Sequence, residues 1–123
     1  MAKIRVILVD DQATVRQGLR MCLLLEPDIT VIGEASTGRS ALALVQTLRP
    51  DVVLMDIEMP DMDGIAATST IHATFPESAV VILSIHDDSG TRLRAQNAGA
   101  VAFVEKGGST QSLLAAIRQT AMH

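Results

Sequence analysis

The sequence has few aromatic residues and no excess of positive charge. Phe75 and Phe103 are its only aromatic residues, since tryptophan and tyrosine are absent from all 123 positions. Side chains on which single-stranded bases could stack are therefore lacking. Ten lysines and arginines face 14 aspartates and glutamates, so the net charge is −4, unlike the basic surface of a nucleic-acid binder. We expect this chain itself to bind no nucleic acid.

Cysteine and long apolar segments are also scarce. Cys22 is the single cysteine, which excludes an internal disulfide and is typical of a reducing compartment. The longest apolar runs, such as 79–83, are far shorter than the roughly 20 residues that span a bilayer. Residues 1–3 do not resemble the start of a signal peptide. The sequence thus predicts a cytoplasmic chain that does not enter a membrane.

Five short runs rich in valine and isoleucine predict a parallel sheet. With 48% apolar residues, a chain of this size can build one core, and we expect residues 1–123 to form one domain. The runs have the length of strands, and the spacing between them leaves room for a helix each time. Alternating strands and helices favour a parallel sheet with right-handed crossovers. The runs are 4–9, 29–32, 52–55, 79–83 and 101–104.

Apolar residues between these runs recur every three or four positions, which is the period of a helix. The second run contains the polar Thr30 and is the best candidate for an edge of the sheet. The whole pattern predicts a doubly wound (βα)5 sandwich. The expected helices span about residues 14–25, 38–48 and 64–73, with a weaker one marked by Leu93, Gln96 and Ala98 and a fifth that Ser109 or Thr110 caps.

Acidic residues follow two of the predicted strands. Asp10 and Asp11 come directly after the first run, and Asp56 follows the third. Ligands of parallel sheets bind just beyond the carboxyl ends of the strands, so the three side chains converge if these two strands are neighbours. Close carboxylates repel one another unless a cation joins them. Oxygen ligands with room for water are typical of Mg²⁺.

A lysine and a serine at the same edge indicate a second, anionic ligand. Lys106 follows the fifth run and Ser84 the fourth. An ammonium beside a bound cation is explained by a further anion, for which phosphate is the simplest choice, and Ser84 would donate a hydrogen bond to it. The chemistry that uses all five residues is the attack of Asp56 on a phosphoryl donor, which forms an aspartyl phosphate. Mg²⁺ and Lys106 would neutralise the developing charge.

The residues and their order resemble the receiver domain of two-component response regulators over nearly the whole chain. The resemblance implies a flavodoxin-like sheet with the strand order 2-1-3-4-5 and a role in phosphorelay signal transduction. Segment 83–88 and the Ala98-Gly99-Ala100 turn are similar to the NarL/FixJ subfamily. The matching features are the Asp10-Asp11 pair, the stretch LMDIEMPDMDG at 54–64, Ser84, Phe103 and Lys106.

The same resemblance implies roles for individual site residues. Asp56 would accept the phosphoryl group from the phosphohistidine of a sensor histidine kinase. Its Mg²⁺ would be held by Asp10, Asp11, Asp56 and the backbone carbonyl of Glu58. Glu58 and His86 would tune the lifetime of the aspartyl phosphate.

Ser84 and Phe103 would transmit phosphorylation to the surface of the fourth helix, fifth strand and fifth helix. Phe103 lacks the hydroxyl of the tyrosine that many relatives have there. Gly107 follows Lys106 where many relatives have proline, so a cis peptide, which costs about 2.5–4 kcal/mol before a residue other than proline, is not expected.

The subfamily usually carries a helix-turn-helix DNA-binding domain after the receiver. The chain is therefore either a single-domain regulator or a piece of a longer transcription regulator, and we favour the second. Its implied partners are a sensor histidine kinase and, after phosphorylation, a second copy of itself. The copies would meet through the first and fifth helices or through the face from the fourth helix to the fifth.

Two other functions fit part of the pattern. A receiver fold could bind proteins without being phosphorylated, although the complete set of site residues counts against this. A phosphatase of the haloacid dehalogenase type also uses an aspartate at a strand end, but it needs Asp-x-Asp, whereas Asp10 and Asp11 are adjacent. We expect a phosphoacceptor that phosphorylates and dephosphorylates itself and not a dedicated enzyme.

Overall fold

Five parallel strands alternate with five helices along the chain. The computed structural model describes residues 3–59, 63–85 and 88–122. Within them the strands form one sheet in the order 2-1-3-4-5, and every neighbouring pair is parallel. The predicted flavodoxin-like architecture is thus confirmed. The elements are β1 (Ile4–Val9), α1 (Ala13–Leu24), β2 (Ile29–Ala35), α2 (Gly38–Leu48), β3 (Val52–Asp56), α3 (Gly64–Thr74), β4 (Ala79–Ser84), α4 (Ser89–Asn97), β5 (Ala102–Glu105) and α5 (Thr110–Ala121).

Helices cover both faces of the sheet. In β1, Ile7 packs on the side of α2, α3 and α4, and Leu8 packs on the side of α1 and α5. Both side chains are fully buried, because an interior parallel strand carries helices on its two faces. The ends of the strands are therefore the places where a small ligand can reach the sheet.

The two edges of the sheet depart from the predicted boundaries. β2 continues to Ala35 because it pairs with β1 again after a register shift between Val6 and Ile7. β5 begins at Ala102 and not at Val101, which is 57% exposed. The interior strands β3 and β4 also end one residue later than predicted, because the polar Asp56 and Ser84 that close their apolar runs still pair with the next strand.

Polar side chains cap four of the five described helices. Thr37, Asp63, Asp88 and Ser109 each accept a hydrogen bond from a backbone N–H in the first turn of α2, α3, α4 and α5, respectively. Such caps satisfy N–H groups that have no partner inside the helix. Helix α1 differs, because Gln12 precedes it without a capping hydrogen bond from its side chain. Before α1, the backbone N–H of Gln12 donates to Oδ1 of Asp10 at 2.9 Å.

The helices are short, and α4 has little apolar surface. It buries Thr91 and Ala95, whereas Leu93, which helped to predict this helix, is 57% exposed. Packing through small residues explains the weak apolar period of this segment. Among the residues that the structure describes, no helix is long and apolar enough to cross a membrane.

Candidate functional site

The carboxyl ends of β1, β3, β4 and β5 meet at one edge of the sheet. Val9 of β1 pairs with Met55 of β3, which sets Asp10 beside Asp56. Asp56 in turn pairs with Leu83 of β4. The backbone N–H of Lys106 donates to the carbonyl of Ser84 at 2.8 Å, which brings the β5 end to the β4 end. Residues far apart in the sequence are in this way brought to the same cleft.

Three carboxylates converge there, as expected from the sequence. Asp10, Asp11 and Asp56 each offer an oxygen atom, and these atoms all lie within 4.8 Å of one another. Asp10 and Asp56 are buried, at 1% and 5% exposure, while Asp11 is exposed. Two buried acids and one at the mouth of the cleft form an oxygen-rich site that is open to solvent on one side.

Lys106 reaches into this cluster from β5. Its Nζ lies 2.6 Å from Oδ2 of Asp10 and 3.1 Å from Oδ1 of Asp56. Although Oδ2 of Asp10 is buried and this close to the ammonium, it accepts no aligned hydrogen bond from the described residues, so the contact is an ion pair. One ammonium cannot balance three carboxylates, and the cluster keeps an excess of negative charge that suits a divalent cation.

Burial and charge shift the pKa values of two of these groups. Burial raises the pKa of Asp56, the nearby ammonium of Lys106 opposes that shift, and the charge of Asp10 adds to it. For Lys106, burial alone would lower the pKa, but contacts with the carboxylates of Asp10 and Asp56 outweigh burial and raise it. Lys106 therefore remains positively charged at neutral pH.

Backbone contacts fix the direction of Asp10. Its N–H donates to the carbonyl of Ala35 at 3.1 Å, and its Oδ1 accepts from the N–H of Gln12 at 2.9 Å. Its own carbonyl accepts a hydrogen bond from the guanidinium of Arg16 on α1. These contacts turn Oδ2 towards the cleft. Arg16 was not predicted as a site residue, because one arginine on a helix next to a loop has the sequence pattern of a surface residue.

Gly64 was not predicted as a site residue either, although it belongs to the stretch that carries the family resemblance. It begins α3, and its N–H donates to the carbonyl of Ile57 at 2.7 Å. A Cβ at this position would lie 2.0 Å from the carbonyl oxygen of Asp56. A glycine therefore allows α3 to start directly behind the buried acid. The Asp-Gly pair was the available signal, which we interpreted only as a helix start.

The remaining predicted residues lie at different distances from the acids. Ser84 is buried and lines the same cleft as Asp56 and Lys106, and Glu58 is exposed at its rim, with its N–H 3.3 Å from Oδ1 of Asp56. Phe103 does not line this cleft. It is half-buried in a separate groove along β5 and α5. His86, which was predicted to tune phosphate lifetime, lies outside the described residues.

The peptide bond after Lys106 is trans. No cis bond occurs in the described parts of the chain, including the one between Lys106 and Gly107. Gly107 has φ +77°, a backbone conformation that residues with a side chain rarely adopt. Glycine at this position lets the chain turn from β5 towards α5 directly behind the ammonium.

Comparison with known proteins gives the family. The family model described as response regulator receiver domain matches residues 6–118. The chain belongs to this family. Switching by phosphorylation is the role of receiver domains, and they bind Mg²⁺ at an acidic pocket.

Several transcription regulators are similar to this receiver domain. It is 40% identical over 119 residues to the uncharacterized transcriptional regulatory protein YxjL of Bacillus subtilis, a match covering 97% of the chain and 55% of that protein. Over 119 residues it is 34% identical to the transcriptional regulatory protein DegU of Brevibacillus brevis, a match covering 97% of the chain and 50% of DegU. The receiver domain thus spans about half the length of these relatives.

Solved structures agree with this assignment. The signal receiver domain of a Mycobacterium tuberculosis protein named NarL superposes with a TM-score of 0.95 at 31% identity, covering 99% of this chain and 98% of that one. A LuxR-family two-component response regulator from Aurantimonas gives a TM-score of 0.93 at 32% identity, covering 98% of this chain and 86% of that one. The predicted similarity to the NarL/FixJ subfamily is confirmed by these neighbours.

Proposed function

We propose that this receiver domain is phosphorylated on Asp56 by a sensor histidine kinase in a Mg²⁺-dependent reaction. The observation that carries the proposal is the position of Lys106, whose ammonium contacts both Asp10 and Asp56 at the open edge of the sheet. A half-buried lysine held between two buried acids is ready to contact a phosphoryl group that arrives at either of them.

In the proposed reaction, a carboxylate oxygen of Asp56 attacks the phosphorus atom of the kinase's phosphohistidine. The new O–P bond forms as the P–N bond breaks, and the bonding electron pair returns to the imidazole nitrogen. The product is an acyl phosphate on Asp56. Lys106 and the hydroxyl of Ser84 donate to the phosphoryl oxygens, and the buried position of Asp56 limits access of water.

The residues present fit a magnesium ion. Asp10, Asp11, Asp56 and the backbone carbonyl of Glu58 would hold it. The buried Oδ2 of Asp10, which accepts no aligned hydrogen bond from the described part of the chain, is one oxygen available as a ligand. When bound, the ion supplies positive charge to the phosphoryl oxygens. Asp10 and Asp11 provide carboxylate ligands for the ion. Glu58 and His86 tune how fast the acyl phosphate is hydrolysed.

The phosphorylated site then acts on the α4-β5-α5 surface. Ser84 moves towards the phosphoryl oxygens, and Phe103 turns inward to fill the space next to it. Phosphorylation favours one of two packings of α4, β5 and α5 and so changes their populations. The half-buried position of Phe103, between core and groove, supports this role.

The output of the switch is proposed from the relatives. These relatives are transcription regulators about twice as long as this chain. We therefore propose that residues 1–123 are the receiver domain of a cytoplasmic transcription regulator whose DNA-binding domain lies elsewhere. The receiver domain itself binds no nucleic acid, and phosphorylation leads two copies to pair.

A mass measurement tests the proposal. The chain is incubated with a small acyl phosphate and Mg²⁺, and its intact mass is measured within minutes. Wild type and Asp51→Asn, which changes an exposed acid before β3 at the other end of the sheet, are expected to gain one phosphoryl group. Asp56→Asn is expected to gain none. No gain in wild type would overturn the proposal and favour a receiver fold that binds proteins without phosphorylation.

A further inference from the structure

We infer that Arg16, held by Glu34, positions the Asp10-Asp11 turn and thereby sets the affinity of the site for Mg²⁺, an inference that rests on the proposed function. Arg16 lies in the first turns of α1, and Glu34 lies on the edge strand β2. Neither was expected to take part in the site. Their role is that of positioning residues, since they act through the backbone of Asp10.

The guanidinium of Arg16 joins three elements. One of its terminal nitrogens donates to the carbonyl of Asp10, and its Nε donates to Oε1 of Glu34 at 3.0 Å. The Arg16 side chain is only 17% exposed. A planar guanidinium donates in two fixed directions at once, so the positions of β2 and α1 together determine where the carbonyl of Asp10 lies.

Besides its ion pair with Lys106, Asp10 has few other restraints. Its N–H is tied to Ala35 of β2, and its Oδ1 is tied to the N–H of Gln12. Helix α1 has no capping side chain at Gln12 that could hold the turn from the other side. Among the described residues, the hydrogen bond from Arg16 is the side-chain contact that connects Asp10 to the body of α1. Losing it leaves the carbonyl of a buried residue without this donor.

Glu34 also contacts a second arginine, which provides a control. Arg20, one turn further along α1, donates to Oε2 of Glu34 through its Nε at 2.8 Å and again through a terminal nitrogen. Among the described residues Arg20 makes no hydrogen bond to Asp10. Removing Arg20 thus removes a cation and an ion pair from the same helix while the hydrogen bond from Arg16 to the turn is kept.

Positioning and simple electrostatics predict opposite signs. A positive charge near the acidic cleft repels Mg²⁺, so if only charge mattered, Arg16→Met would tighten Mg²⁺ binding. If Arg16 positions the turn, the same change weakens binding. Loss of a residue that orients a metal ligand commonly costs about 10- to 100-fold in affinity. We therefore expect the Kd for Mg²⁺ to rise at least about tenfold in Arg16→Met.

The test is a calorimetric titration of the unphosphorylated protein with MgCl₂, alongside urea unfolding of each variant in EDTA. Arg16→Met and Arg16→Lys are expected to raise the Kd, since lysine keeps the charge but cannot donate along both directions. Glu34→Gln, an exposed change with little risk to folding, is expected to raise it severalfold. Arg20→Met is expected to leave the Kd within twofold of wild type, whatever it does to stability.

Each result decides a different point. If wild type binds no Mg²⁺, the proposed function fails and not only this inference. If wild type binds but Arg16→Met and Glu34→Gln bind equally well or more tightly, or if Arg20→Met weakens binding as much as Arg16→Met, the positioning role is overturned. A weaker affinity in Arg16→Met and Glu34→Gln, with Arg20→Met unchanged, supports it.

Discussion

The guanidinium carbon of Arg92 on α4 lies 4.6 Å from the centre of the Phe103 ring on β5. This is the distance of a cation–π contact, which stabilises a pair at a partly exposed site by about 0.5–1 kcal/mol. The contact joins α4 to β5, the two elements that are proposed to repack together. Phe103 cannot turn inward without leaving Arg92, so the contact favours the packing seen here.

Replacing Arg92 is therefore expected to favour the switched packing. Arg92→Ala should bind beryllofluoride, a mimic of the aspartyl phosphate, about two- to fivefold more tightly than wild type, the factor that 0.5–1 kcal/mol represents. Titration of beryllofluoride in saturating Mg²⁺ measures this. The double variant Arg92→Ala/Phe103→Leu should bind as Phe103→Leu does, because the contact is then already absent. Tighter binding in both backgrounds would show that Arg92 acts by its charge and not through the ring.

Gly64→Ala tests the close approach of α3 to Asp56. The added Cβ would lie 2.0 Å from the carbonyl oxygen of Asp56, so α3 or the buried acid must move. Overpacking of this kind costs about 1–3 kcal/mol, and we expect slower phosphorylation as well, because Asp56 is displaced. Urea unfolding and the mass assay measure the two effects.

Gly18→Ala is the matched control for that change. Gly18 lies in the middle of α1, and apart from its chain neighbours and the adjacent backbone of its own helix, no heavy atom of the described residues lies within 4 Å of the position its Cβ would take. Alanine is a better helix former, so this variant should gain about 0.5–1 kcal/mol of stability. Phosphorylation that slows equally in both variants would contradict the role given to Gly64.

The contrast between Gly64 and Asp56 shows what the sequence could predict. Asp56 closes an apolar run, and that position at a strand end is readable without coordinates, as it is for Asp10 and Lys106. The strand order follows from the same runs once the family resemblance is recognised. Gly64 and Arg16 act through carbonyl groups of other residues, and backbone geometry of that kind leaves no periodic pattern in side-chain chemistry.

Asp56→Asn should stabilise the metal-free protein at neutral pH. Burial raises the pKa of Asp56 in the folded state above its usual value of 3.8, which applies in the unfolded state. The folded state therefore binds this proton more tightly than the unfolded state does. The ionised carboxylate consequently destabilises the folded chain as the pH rises above about 3.8, and the effect is complete once Asp56 is ionised in the folded state as well. We expect Asp56→Asn to be more stable by about 1 kcal/mol at pH 7, the usual size of a single substitution.

The pH dependence distinguishes this effect from others. The difference in the free energy of unfolding between Asp56→Asn and wild type should shrink as the pH falls towards 4 and grow towards pH 7. Urea unfolding in EDTA at several pH values measures it. A difference that does not change with pH would mean that packing, and not the charge of Asp56, accounts for the change.

Magnesium should remove the same instability in the wild-type protein. A cation that binds only the folded state raises the free energy of unfolding by about 1.4 kcal/mol when present at ten times its Kd. The gain should be absent in Asp11→Asn, whose exposed side chain belongs to the acid cluster but lies outside the core. Asp63→Asn, which keeps a side-chain oxygen to cap α3, should gain as much as wild type. Thermal unfolding of the three proteins, with and without Mg²⁺, measures this, and an equal gain in Asp11→Asn would place the ion away from the Asp10-Asp11 pair.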